Sequence, residues 1–277
     1  MKAAVATLLL LMATHVYAET PKRIITIGGA LTEIVYALGE QSRLVGNDTT
    51  SLYPKEAVAL PKIGYQRALS SEGILSLTPD VIILTNEAGP PTVIRQLEAT
   101  GVRILKLKAG RSIDDVKHSV NAIGKILDRQ QEAKTLVAKL DKDNQQLATI
   151  TQAIKTHQKV MFVLQHTGGA PLVAGTETAA DSIIKMSGGV NVVTGYQGYK
   201  PLTPEAAVIL KPDVILITNL GLEQAGGKQE LLKSPGLSLT PAAKYGNVIA
   251  MDSLLILGFG PRTVEAAMAL NQAYDNL

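Results

Sequence analysis

Two fifteen-residue segments of this chain read almost alike. The segment from Glu72 to Asn86 and the segment from Glu205 to Asn219 align without a gap at an offset of 133 residues. Both carry the glutamate, the leucine at 77 and 210, a Pro-Asp pair at 79–80 and 212–213, the following valine and a closing Thr-Asn pair. Chance does not produce such agreement, so two related lobes are the economical reading. Each copy has a clear physical sense. Glu72 to Leu77 reads as a short helix, with Ser70 or Ser71 as N-cap and the glutamate in the first turn. Pro79 and Pro212 cannot continue those helices. Val81 to Leu84 and Val214 to Ile217 are unbroken apolar runs of β-branched character, which suit strands covered on both faces of a parallel sheet. Helix then strand, twice, predicts α/β lobes.

Neighbouring segments extend the pattern. Arg23 to Ile27 reads as a strand, and Gly28-Gly29 turns it into a helix over Leu31–Leu38. A helix around Val93–Ala99 leads to a strand over Val102–Leu107. In the second half, Lys159 to Leu164 and Asn247 to Met251 read as strands, and Thr178–Ser187 and Thr263–Asp275 as helices. Between the halves, from about Ser112 to His157, there is no strand signal and no proline. Ala133, Leu136, Val137, Leu140, Leu147, Ile150 and Ile154 recur at near-helical spacing. Arg129 to about Lys155 therefore predicts one long helix, roughly 40 Å at 1.5 Å per residue. Such a helix is a stiff connector rather than a flexible linker. The expected organisation is a lobe over 19–128, a connecting helix over 129–157 and a lobe over 158–277: two Rossmann-like α/β lobes with mostly parallel sheets and little hinge closure.

The first 18 residues read as a secretory leader. Lys2 precedes an apolar run from Ala3 to Met12, and Val16-Tyr17-Ala18 is a small-residue cleavage site. That run is shorter than the roughly 20 residues a membrane span needs. The rest is long enough for two domains. A formal charge of +3 on 277 residues gives no reason to expect a nucleic-acid partner. Zero cysteines exclude disulfides and thiolate metal sites. Gly28-Gly29-Ala30-Leu31 lacks the third glycine of a dinucleotide fingerprint, and no nucleophile elbow or catalytic His–carboxylate spacing occurs. The chain is therefore not read as an enzyme. The three histidines beyond the leader, His118, His157 and His166, are too few and too scattered for a zinc carrier. Aromatics make up only 4 %, with no Trp, so a tyrosine in a loop needs an explanation.

The leader, the two lobes, the long bridging helix and one glutamate per lobe resemble the class III solute-binding proteins of ABC importers for siderophores, corrinoids and haem. The run from Gly64 to Leu77, with Tyr65, Arg67 and Glu72, is similar to the signature of the periplasmic haem carriers. The runs Gly258–Arg262, Val173–Thr176 and Gly188–Asn191 look like the same subgroup. The resemblance covers essentially everything after the leader. It implies a monomeric periplasmic protein that binds haem as transported cargo between its lobes. It would deliver that cargo to an ABC permease dimer, with an outer-membrane receptor system upstream. A siderophore or corrinoid carrier is the alternative, though siderophore sites favour Trp and arginine clusters.

Within that resemblance Tyr65 is the expected axial ligand to haem iron, since a phenolate oxygen suits ferric iron. A free phenol has a pKa of about 10, so iron and a nearby cation such as Arg67 would have to displace its proton. The competing reading packs Tyr65 on a helix and leaves Arg67 solvated. His166 follows the Lys159–Leu164 strand, at the end of a parallel strand where such sheets bind ligands. It is either a second iron ligand, for one haem or a stacked second one, or a loop histidine bonded to backbone. Tyr196, Tyr199, Leu172, Leu255, Leu257 and Phe259 are candidate walls of an apolar slot, and Arg262 and Lys200 candidate partners for the propionates. Glu72 and Glu205 would dock on paired arginines of a two-fold permease. The plainer alternative is complementarity to a helix N-terminus.

Overall fold

The computed structural model describes residues 20–165 and 170–277. The leader and His166 lie outside the described residues. In the first lobe the chain runs through β1 (Ile24–Ile27), α1 (Gly29–Ala37), β2 (Leu44–Asn47), α2 (Lys55–Val58) and a small hairpin, β3 (Gly64–Tyr65) and β4 (Ala68–Leu69). It continues with α3 (Ser71–Leu75), β5 (Val81–Thr85), α4 (Pro91–Ala99), β6 (Arg103–Leu107) and α5 (Ile113–Ile126). The sheet order is β2-β1-β5-β6, parallel throughout. The β1 residues and the Val81–Leu84 run are fully buried, as strands covered on both faces must be.

The second lobe holds β7 (Lys159–Gln165), β8 (Leu172–Ala174), α7 (Ala179–Met186), β9 (Val190–Asn191), β10 (Tyr199–Pro201), α8 (Pro204–Leu210) and β11 (Val214–Thr218). Helices α9 (Asn219–Gln224), α10 (Lys228–Lys233) and α11 (Pro241–Tyr245) follow, then β12 (Val248–Met251), α12 (Ser253–Leu257) and α13 (Thr263–Asp275). Its parallel strands β9, β7, β11 and β12 repeat the order of the first lobe. The sheet is mixed, however. Strands β8 and β10 add an antiparallel edge beside β7, which the repeat gave no reason to expect.

The repeat is also a repeat of local geometry. Ser70 caps α3 by accepting from the Gly73 amide, and Thr203, its counterpart, caps α8 by accepting from the Ala206 amide. Both helices end before the proline, and Thr78 and Lys211 both adopt left-handed φ, at 45° and 47°. Asp80 then accepts the Lys22 and Arg23 amides, and Asp213 accepts the Lys159 amide. Each Pro-Asp pair thus fastens its strand to the first strand of its lobe.

The connector α6 spans Gln130–Gln152, about 35 Å of helix. It packs on α5 of the first lobe and α13 of the second. One apolar cluster runs from Ile24 and Val81 through Val120, Leu140 and Leu147 to Phe162 and Leu270. The lobes therefore share a continuous core, and opening them would cost apolar burial at about 25 cal/mol per Å². Polar contacts reinforce it. Glu40, 3 % exposed, holds Arg43 and Arg129 at the start of the connector. Glu33 on α1, 5 % exposed, accepts two hydrogen bonds from Arg262 at 2.9 and 2.6 Å. Tyr53 covers the same guanidinium, 3.5 Å from the ring centre. Gly29 makes a close approach possible: a Cβ there would lie 2.4 Å from the Thr50 carbonyl oxygen and 2.6 Å from Leu254 of α12.

Candidate ligand cleft

A cavity of about 560 Å³ opens at the carboxyl ends of β1, β5 and β6, where the second lobe faces the first. That is where open parallel sheets place ligands, and the volume lies in the usual range for small-molecule sites. The first lobe contributes the Gly28-Gly29 turn, the β3–β4 hairpin, Thr85 at the end of β5, Glu87 past it, and Lys108 to Arg111 past β6. The second contributes Leu164, Ala179, Tyr199, Leu254, Leu257 and Phe259. One wall is thus polar and cationic, and the other mostly apolar.

The hairpin explains the site's geometry. Tyr65 pairs with Ala68, so Gln66 and Arg67 form a two-residue turn. The strands are held from outside: Gly89 donates its amide to the Gln66 carbonyl at 2.9 Å and accepts from the Leu69 amide at 3.0 Å. Tyr65 stays 43 % exposed at the cleft mouth. Arg67 donates from Nη1 to the Tyr65 hydroxyl at 2.9 Å and from Nη2 to Glu87. The second oxygen of Glu87 accepts from Arg111 at 2.5 Å. Burial works against the Arg67 charge, but the Tyr65 and Glu87 contacts outweigh it and raise the guanidinium above its ordinary pKa. Across the cleft, burial pushes the Tyr199 phenol up, with Arg111 partly opposing the shift.

The structure brings together some of the expected residues and not others. Tyr65, Arg67, Tyr199, Leu257 and Phe259 line one cavity. Phe259 sits at φ 53°, with its side chain where a Cβ on Gly110 would have to go. Arg262 is elsewhere: its fork is committed to the buried Glu33 carboxylate and its face to Tyr53, so it does not present a donor to the cleft. Lys200 is exposed and stands over the Tyr196 ring, 4.9 Å from its centre. Tyr196 packs against Gly175 and points its hydroxyl at the Val173 carbonyl. Leu172 lies on β8 and Leu255 packs on the shared core, outside the cavity lining. His157 donates from Nδ1 to the Gly188 carbonyl of the second lobe at 2.7 Å and does not line the cleft. Glu72 and Glu205 are exposed in the first turns of α3 and α8.

Sequence reasoning passed over Glu87, Arg111 and Lys108. A signal for Glu87 existed. It lies immediately past the closing Thr-Asn pair of the repeat, where the second copy has Leu220. A residue that departs from the repeat at the carboxyl end of a buried strand is placed where ligands bind. Arg111 and Lys108 follow β6 and carried no such mark.

Comparison with known proteins agrees with this geometry. The sequence profile of the periplasmic binding protein family matches residues 24–255. The fold is similar to the periplasmic heme-binding protein BhuT in complex with two hemes (TM-score 0.88, 41 % identity, 92 % of this chain and 98 % of that one). It is also similar to the periplasmic heme-binding protein RhuT from Roseiflexus sp. RS-1 in apo form (TM-score 0.89, 37 % identity, 92 % and 98 %). Sequence relatives include the ABC transporter substrate-binding lipoprotein YvrC of Bacillus subtilis, 27 % identical over 92 % of this chain and 80 % of that protein. They also include a vitamin B12-binding protein of Vibrio parahaemolyticus, 23 % identical over 94 % of this chain and 91 % of that protein.

Proposed function

The chain belongs to the periplasmic binding protein family, whose members serve transport rather than catalysis, and from that premise we propose that its cargo is haem. Its fold is class III, and its place is outside the cytoplasm as the substrate-binding component of an ABC transporter. The observation that carries the haem reading is the exposed Tyr65 hydroxyl at the cleft mouth, with an Arg67 nitrogen 2.9 Å away. A phenolate is an axial ligand for haem iron, and an arginine donating to its oxygen stabilises the anion. Arg67 and Arg111, both held by Glu87, and Lys108, held by Asp115, line the cleft as the candidate cations for the propionates, while Leu254, Leu257 and Phe259 give the porphyrin an apolar wall. The likeness to BhuT and RhuT supports the same cargo. His166 remains the candidate for a second axial contact or a second haem.

A corrinoid is the second reading, favoured by relatives that are named vitamin B12-binding proteins. One experiment separates the two. Purified protein is titrated with ferric haem and, separately, with cyanocobalamin, and absorption is followed. Haem cargo gives a Soret shift and a ferric spectrum that Tyr65→Ala bleaches. Tight cobalamin binding that survives Tyr65→Ala refutes it.

For delivery, the exposed Glu72 and Glu205 at matching repeat positions are the candidate contacts to an inner-membrane permease dimer. Reversing both to lysine abolishes haem uptake by cells and leaves haem binding by the purified protein intact. Loss of binding in that variant rejects the docking role.

A further inference from the structure

We propose that Glu87 is a positioning residue for the iron ligand, acting through Arg67 rather than touching the cargo. The inference rests on the reading of Tyr65 as that ligand. A guanidinium presents its donors in a rigid planar fork, so fixing one nitrogen fixes the direction of the others. Glu87 takes Nη2 of Arg67, and Nη1 is left aimed at the Tyr65 oxygen. Without that anchor, a long side chain that is 53 % exposed would hold its geometry poorly against rotamer entropy. The second carboxylate oxygen is occupied by Arg111, so Glu87 also keeps two like charges side by side in the cleft.

The anchor is itself built in. Glu87 stands in the loop after β5, and two residues on, Gly89 bonds through both its amide and its carbonyl to the hairpin that carries Tyr65. Carboxylate and phenol are therefore delivered by one hydrogen-bonded unit of backbone. The charged and titratable groups around this carboxylate are Arg67 and Arg111 in contact, and Tyr199 facing it from the second lobe.

The test uses purified protein loaded with ferric haem, comparing wild type with Glu87→Ala, Glu87→Gln, Arg67→Ala and the Glu87→Ala/Arg67→Ala double variant. A phenolate that loses its hydrogen bond donates more strongly to iron, so the charge-transfer band of the ferric protein shifts. Glu87→Ala shifts the band in the same direction as Arg67→Ala and weakens haem binding about tenfold. Glu87→Gln, whose amide oxygen can still hold one arginine, lies between wild type and Glu87→Ala. The band of the double variant matches that of Arg67→Ala alone, because Glu87 reaches the phenolate only through Arg67. Unliganded melting temperatures within a few degrees of wild type exclude a folding defect. A Glu87→Ala band at the wild-type position, or a double variant whose effects add, overturns the proposal while leaving haem as cargo. A wild-type protein that takes up no haem overturns the functional reading instead.

Discussion

Arg67 and Tyr65 are two residues apart and touch through their side-chain tips, with a guanidinium nitrogen 2.9 Å from the phenolic oxygen. In an extended strand residues two apart share a face. Here Arg67 is itself the second residue of the two-residue turn between β3 and β4, and it folds back to the tyrosine at the end of β3. The pair sits at the rim of a cavity whose opposite wall comes from the other lobe.

Removing the phenol oxygen removes the ligand. Tyr65→Phe keeps the ring and abolishes the charge-transfer band of the haem-loaded protein. Arg67→Ala keeps the ligand but not its charged hydrogen bond, which is worth about 1.5–3 kcal/mol. Haem affinity from competition titration then falls roughly ten- to hundredfold. Wild-type affinity in both variants contradicts the assignment.

Arg262→Ala leaves the Glu33 carboxylate buried without its partner. Breaking a buried pair from one side costs about 3–5 kcal/mol, measurable by urea unfolding at neutral pH. Burial already raises the Glu33 pKa above the usual 4.5, despite Arg262 pulling it down. An acid with a raised folded pKa is favoured in the fold below its unfolded pKa, and that advantage is lost as pH rises through the folded value. The variant's deficit is therefore largest at neutral pH and shrinks on acidification, as Glu33 takes up a proton. A pH-independent deficit is inconsistent with this account.

Tyr274 is buried against Ser187, and burial pushes its phenol well above the ordinary value of 10. The unfolded phenol ionises near pH 10 and the folded one does not. Stability from this group is complete below pH 10 and is lost as pH climbs toward the folded pKa. Melting temperature drops above pH 10, and Tyr274→Phe flattens that drop. Ser187 is not orphaned, since its hydroxyl also donates to the Ile184 carbonyl at 2.8 Å.

Thr78 and Lys211 occupy left-handed backbone that costs a side-chain-bearing residue about 1–2 kcal/mol. Glycine adopts that region freely. Thr78→Gly and Lys211→Gly each raise the melting temperature by about 2–4 °C in calorimetry. Lower melting temperatures in both would mean that the side chains, not the backbone, matter there.

The repeat made the two lobes legible, because a buried parallel strand after a capped helix leaves an unambiguous trace in Val, Ile and Leu. The connector was legible from apolar spacing. The antiparallel edge of β8 and β10 was not, since three-residue strands carry too few side chains to show a period. In the site, Tyr65 and Arg67 could be singled out because they are close in sequence. The roles expected of Arg262 and Lys200 depended on distant partners. Arg262 meets Glu33 across 229 residues, and no local pattern records that pairing.

The sequence by itself determined what each segment becomes, because helix caps, proline stops and strand hydrophobicity act over a few residues. It also set which side chains could bind iron or carry charge. Only the tertiary structure decided which of those charges face the cleft. An ion pair forms wherever folding brings two groups within about 4 Å, and that meeting is fixed by how the lobes pack. Hence Glu87 joins Tyr65 through Arg67, while Arg262 locks the lobes together with Glu33.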